Sequence, residues 1–185
     1  MQASWTHYLV GSLLVMCAVA DARANRIPNI ITVPFAALAL SLHSFDKGLD
    51  GFFFSIAGMA TGIGLLVIFY SMGGMGAGDV KLMGAVGSFL GVKGTLEACV
   101  FCAFAGGIYS LAMILIYRDE FKGFFSESLQ ILISMVLLKQ YVPIHTESSR
   151  QKPRLKYGLA IAFGTITYLL LESCGIKFSM FKFFI

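Results

Sequence analysis

What most limits the folds open to this chain is the length of its apolar stretches. A hydrocarbon layer about 30 Å thick takes ~20 apolar residues in a helix, somewhat fewer where the ends are drawn in. On that measure six spans can be laid out, approximately Ala3–Ala20, Asn29–Phe45, Leu49–Tyr70, Asp79–Val92, Gly94–Tyr117 and Tyr157–Cys174. Composition agrees, since 57% of the residues are hydrophobic and 13% charged, where a soluble domain carries about one quarter charged. Most side chains therefore have no water to face. The expected fold is all-α, a polytopic membrane protein forming a single membrane-embedded domain over residues 1–185, with no room for a sizeable soluble partner domain.

The first span is expected to be retained. Met1 to Trp5 carries no positive charge, and the apolar run ends in Asp21 instead of a small-residue cleavage site. Orientation follows from Lys and Arg, which favour the cytoplasmic side. Arg23 and Arg26 follow span one, Arg118 and Lys122 follow span five, and Lys139, Arg150, Lys152, Arg154 and Lys156 precede span six. The opposite loops carry only Lys47 and Lys93, beside Asp46, Asp50 and Glu97. The first group is read as cytoplasmic, with both termini outside and the protein in the cell's inner (cytoplasmic) membrane. Phe124 to Tyr141 has an apolar core but a polar leading half (Ser126, Glu127, Ser128, Gln130). A crossing there would put the basic stretch outside, so it is read as an interfacial or re-entrant helix on the cytoplasmic side.

The other side chains point away from several functions. The net charge of +4 forms no basic stripe with interleaved aromatics, so no nucleic-acid partner is expected. Cys17, Cys99, Cys102 and Cys174 lie in apolar runs with no acid or histidine placed for a metal, and are read as packing residues. His7, His43 and His145 share no face, and Glu172 is read as an interfacial acid. Lys177 to Ile185 is amphipathic enough to lie on the outer interface, and Arg150 to Lys156 is read as the positive-inside anchor. Gly58 and Gly62 in span three, and Gly84 and Gly87 in span four, allow close helix approach, and Pro34 is expected to kink span two.

Two acids remain, and an acid in a span is costly enough, about 2.5–3.5 kcal/mol at mid-helix, to be a functional candidate by default. Asp21 ends span one, and Pro28 shortly beyond it forces Ile27 out of the helical region. Asp79 opens span four after the glycine-rich stretch Ser71-Met-Gly73-Gly74-Met-Gly76-Ala-Gly78. Each has a plain explanation: Asp21 as an interfacial partner of Arg23 or Arg26, Asp79 as a helix cap. Span four, however, is only about 20 Å long, so its start must lie below the membrane surface. Irregular backbone at that depth is tolerated where it lines a wet cavity or is buried in protein.

By the parity of spans both acids lie toward the cytoplasmic side. Two carboxylates facing one another around a water share a proton, because like charges at close range cannot both ionise. The ionised partner takes a proton from the water, which attacks an amide carbonyl. The protonated partner polarises that carbonyl and helps protonate the leaving nitrogen. Such a site needs neither metal nor cofactor.

Asp21-x-Arg23-x-x-x-Ile27-Pro28-Asn29, followed by Gly76-Ala-Gly78-Asp79-Val80-Lys81-Leu82, resembles the paired signature of the type IV prepilin peptidases, of the GxGD group of intramembrane aspartic peptidases. The resemblance covers about Ala3 to Leu171. Tyr157-Gly158-Leu-Ala160-Ile-Ala-Phe-Gly164 looks like the family's last helix, with Lys156 where a proline usually stands, and only helix packing is carried over there. The resemblance implies Asp21 and Asp79 as catalytic residues and Gly76 and Gly78 as the loop that brings Asp79 toward Asp21. Arg23, Lys81, Pro28 and Asn29 are family-matched positions read as site support or substrate contact. It implies prepilin or pseudopilin precursors as substrates, cut on the cytoplasmic side after a short basic leader, with membrane lipid and the pilus-assembly machinery as further partners. The larger members carry a cysteine tetrad between the first two spans, linked to methylation. That segment does not occur here, a layout similar to the short peptidases of Flp (tight-adherence) pilus systems and of archaeal preflagellins, the first being favoured. The main rival is an ion- or proton-coupled transport component using the same acids, which leaves the Ile-Pro-Asn and Val-Lys-Leu flanks without a reason. A non-catalytic membrane scaffold is a third.

Overall fold

The computed structural model describes residues 4–24, 26–72, 75–116 and 157–175, all built on helices. They are α1 (Ser4–Ala24), α2 (Asn29–Lys47), α3 (Leu49–Ser71), α4 (Ala77–Ile116) and α5 (Tyr157–Ser173). The chain clusters into two compact units, Met1–Gly107 with Lys156–Ile185, and Ile108–Leu155. In the second, the described residues are 108–116, the end of α4. The expected helix over Phe124–Tyr141, the basic stretch, His145 and the tail from Lys177 lie outside the described residues. By length and composition α1, α3 and residues Ala77–Met113 of α4 can each cross a membrane, and Tyr157–Ser173 is a shorter apolar helix. The protein is an all-α polytopic membrane protein.

Helix α1 buries Thr6, Val10, Leu13, Leu14, Cys17 and Asp21, steps of three and four residues that form one stripe of a 3.6-residue helix. Asp21 is the last member of that inward stripe. The helix does not stop at the acid but continues to Ala24. Alanine and arginine are strong helix formers, and the restriction imposed by Pro28 acts only on the residue before it; Ile27 is indeed non-helical. Pro28 then caps α2 in extended conformation, φ −76° and ψ 139°. Helix α2 runs unbroken through Pro34 to Lys47. Gly48, at φ 60°, is the single residue between α2 and α3, a backbone setting that glycine adopts without penalty.

The centre of the first unit is the opening leg of α4, residues 77–90. Every residue from Leu82 to Leu90 is buried, as expected of a helix packed on all sides. Helix α3 lies against it with backbone close to backbone at two glycines. A Cβ at Gly58 would collide with the Gly87 carbonyl and lie 2.7 Å from Gly91 Cα, and one at Gly62 would collide with the Met83 carbonyl oxygen. Ser55, fully buried, donates to Ser88 O at 2.8 Å. The leg ends close to the expected boundary between the fourth and fifth spans: Gly91, at φ 67° and ψ −178°, breaks the helix. The chain folds back there, so that Thr95 Oγ1 would stand 3.1 Å from a Cβ on Gly87. The second leg, residues 92–116, meets α5 where Gly164 would place a Cβ 2.5 Å from Cys102 Cα, and Cys102 Sγ reaches Ile161 O at 3.4 Å.

Helices α1 and α5 run antiparallel. Asp21 near the end of α1 meets Gly158 at the start of α5, while His7 Nε2 lies 3.3 Å from Glu172 Oε2 at the opposite ends. That second end of the unit is aromatic and polar. His43, buried, lies between Trp5 and Phe54 with ring centroids at 5.4 and 5.1 Å, and its Nε2 is 3.2 Å from Phe89 O. Tyr168 there is buried, as is Glu97. The acids Asp21 and Asp79 belong to the first end.

Candidate functional site

Asp79 is the third residue of α4, and its burial follows from the central place of that helix. The backbone folds back on itself there: Asp79 N–H donates to Gly76 O at 3.1 Å, and Gly76 N–H donates to Asp79 Oδ2 at 3.1 Å. The second bond is one half of a capping box, the acid at the third helical position satisfying the N–H that precedes the helix; the first is a backbone turn, since glycine has no side chain to complete the box. The cap expected of Asp79 is therefore real. It engages one carboxylate oxygen and leaves the residue 8% exposed, buried like Asp21 at 6%. The two acids lie at the same end of the first unit, although they are 58 positions apart in sequence.

Ile27 is the joint between them. Buried at the end of the α1–α2 connection, it offers its Cβ 3.0 Å from a Cβ built on Gly78, and its Cδ1 3.1 Å from one built on Gly158. Gly78 is thus small because the α1–α2 connection passes directly over it. Gly158 is small because Asp21 does: its Cβ would lie 2.8 Å from Asp21 Oδ2. Gly76 has an open surface, with Asp79 Oδ2 3.2 Å from where its Cβ would stand.

The family-matched polar residues divide. Lys81 Nζ donates to Asn29 Oδ1 at 3.0 Å, tying the start of α2 to the first turn of α4 on the exposed side of the acids. Pro28 is half-buried and caps α2, its carbonyl accepting from Ile31 N–H at 3.1 Å. Arg23 is exposed in the last turn of α1, where a cation complements the helix dipole. The sequence gives Gly158 only a packing role, and for Ile27 it predicts the non-helical backbone but not its packing against Gly78 and Gly158. The available signal for Gly158 was a glycine in the first turn of an apolar helix, where alanine would propagate the helix better. Among the described residues no three His, Cys, Asp or Glu side chains converge as a metal site requires.

Residues 8–111 match the model of the type IV leader peptidase family. A prepilin leader peptidase/N-methyltransferase of Bacillus subtilis (strain 168) is 35% identical over 112 residues, covering 58% of this chain. The chain spans 44% of that relative's length. No solved structure matches it. The matched segment contains both acids, the glycine loop, the Lys81–Asn29 pair and most of the central helix they flank, and it takes in more than half of the sequence. This chain belongs to the type IV leader peptidase family.

Proposed function

We propose that this protein is an aspartic endopeptidase that removes the short basic leader from prepilin-like precursors at the cytoplasmic face of the membrane. The observation that carries the reading is that two buried acids from separate helices lie at one end of the unit on either side of Ile27: Asp21 shares the Gly158 surface with it, and Asp79 follows Gly78, against which Ile27 packs. A cap at the start of α4 needs only one of them, and an interfacial acid on α1 needs no burial. In water-poor surroundings two neighbouring carboxyls hold one proton between them. One then serves as base toward a water that attacks the scissile carbonyl, and the other as acid toward the carbonyl oxygen and later the leaving nitrogen. Neither step calls for a metal or cofactor.

The substrate class, a basic leader followed by an apolar helix, is the one the family resemblance implies. The compact α1–α2 connection supports leader removal without methylation, in an Flp-type pilus system. The test is loss of the leader from a prepilin mixed with the purified protein in detergent. Asp21→Asn and Asp79→Asn are each expected to lower the rate at least about 10³-fold, the scale on which loss of a group acting as one unit is felt, while the variants stay folded. Wild-type cleavage is expected to continue with a chelator present. Processing retained by either variant overturns the assignment. Ion flux that depends on both acids, with no cleavage, supports the transport reading instead.

A further inference from the structure

Asp21 rests against the backbone of a helix 137 positions away in sequence. A Cβ on Gly158 would stand 2.8 Å from Asp21 Oδ2, 3.1 Å from Asp21 Cγ and 3.1 Å from Ile27 Cδ1. One of these neighbours would have to move. Ile27 is held from behind by Gly78, whose own Cβ would lie 3.0 Å from Ile27 Cβ. The end of the Asp21 side chain is the part that can turn, about its own torsions, at a cost of roughly 0.5–1.5 kcal/mol for an off-rotamer setting. A methyl group at position 158 is therefore compatible with the fold but incompatible with the present place of the carboxyl.

The register that brings the two together is held at the far end as well. Fourteen residues separate His7 from Asp21 on α1, and fourteen separate Gly158 from Glu172 on α5. The His7–Glu172 contact and the Asp21–Gly158 contact are thus spaced equally on both helices, about 21 Å apart. Sliding α5 by one residue would break both.

We propose that Gly158 is a positioning residue for the acid pair: α5 presents a side-chain-free platform that sets where the Asp21 carboxyl stands relative to Asp79. This rests on the peptidase reading above and deepens it. Misplacement of a reacting group by about 1 Å costs on the order of 10²-fold in rate. Gly158→Ala is therefore expected to lower kcat for leader removal about 10- to 100-fold while KM for the prepilin stays close to wild type and the thermal midpoint falls only slightly, by the cost of turning the Asp21 carboxyl. Gly164→Ala is the structural comparison. Its Cβ meets the Cys102 backbone at 2.5 Å, so it should lower the midpoint and leave the kcat of the folded fraction alone.

A second measurement does not depend on turnover. If the added methyl strikes the Asp21 carboxyl, Gly158→Ala should cost less stability in an Asp21→Ala background than in the wild type. The same background should restore folded yield if the single variant folds poorly. Wild-type kcat in Gly158→Ala, or equal stability losses in the two backgrounds, overturns the positioning role and leaves the peptidase reading standing. A wild-type protein that cleaves no prepilin overturns that reading, and the positioning role with it.

Discussion

Lys81 and Asn29 lie beside the acids but not among them. Their hydrogen bond at 3.0 Å crosses from the first turn of α4 to the start of α2 on the exposed side. An exposed bond of this kind contributes below about 1 kcal/mol, because water competes for both partners. Its effect is local: it holds together the two segments that carry Asp79 and Ile27. Asn29→Ala and Lys81→Met should each lower the thermal midpoint slightly, and the double variant should be no worse than the weaker single one. Non-additivity of that sign is how a double-mutant cycle reports direct contact. Full additivity would mean the two residues act separately, for instance each on substrate.

At the level of helices, the close approach of α3 and α4 makes opposite demands on two glycines of the same helix. A Cβ on Gly58 would run into backbone atoms of Gly87 and Gly91, which have no flexible end to yield. One on Gly64 meets nothing within 4 Å. Gly58→Ala should destabilise by about 1–3 kcal/mol or more, the range for overpacking, and Gly64→Ala should stabilise by up to about 1 kcal/mol through helix propensity. Thermal unfolding in detergent compares them directly; equal shifts would contradict the packing described. These contacts also separate what could be foreseen from what could not. Helix lengths, the glycine turn at Gly91 and the small residues between α3 and α4 are local features, visible as apolar length and glycine spacing. The extension of α1 past Asp21 was hidden because the apolar run ends at the acid, although Ala22-Arg23-Ala24 favours helix. The seat of Asp21 on Gly158 was hidden because it depends on the register of two antiparallel helices, to which no local pattern points.

Taken whole, the described surface suits lipid. Tyr8, Leu49, Phe53 and Phe104 are 79%, 75%, 63% and 69% exposed, and apolar side chains so exposed on helices of spanning length belong in a membrane. Helix α2 connects the two ends of the first unit, from Asn29 beside the acids to His43 beside Trp5 and Phe54. If it crosses as expected, Arg26 and Asp46, both exposed, lie on opposite sides of the bilayer. In the proposed orientation the end that carries Arg23 and Arg26 faces the cytoplasm, the side that the positive-inside rule favours. In a protein freed of its own cysteines, Asp46→Cys should react with a membrane-impermeant maleimide on intact cells, and Arg26→Cys only after permeabilisation. Labelling of both from one side would mean α2 does not cross. The reverse pattern would put Asp21 and Asp79 at the outer face, where a leader retained in the cytoplasm never arrives.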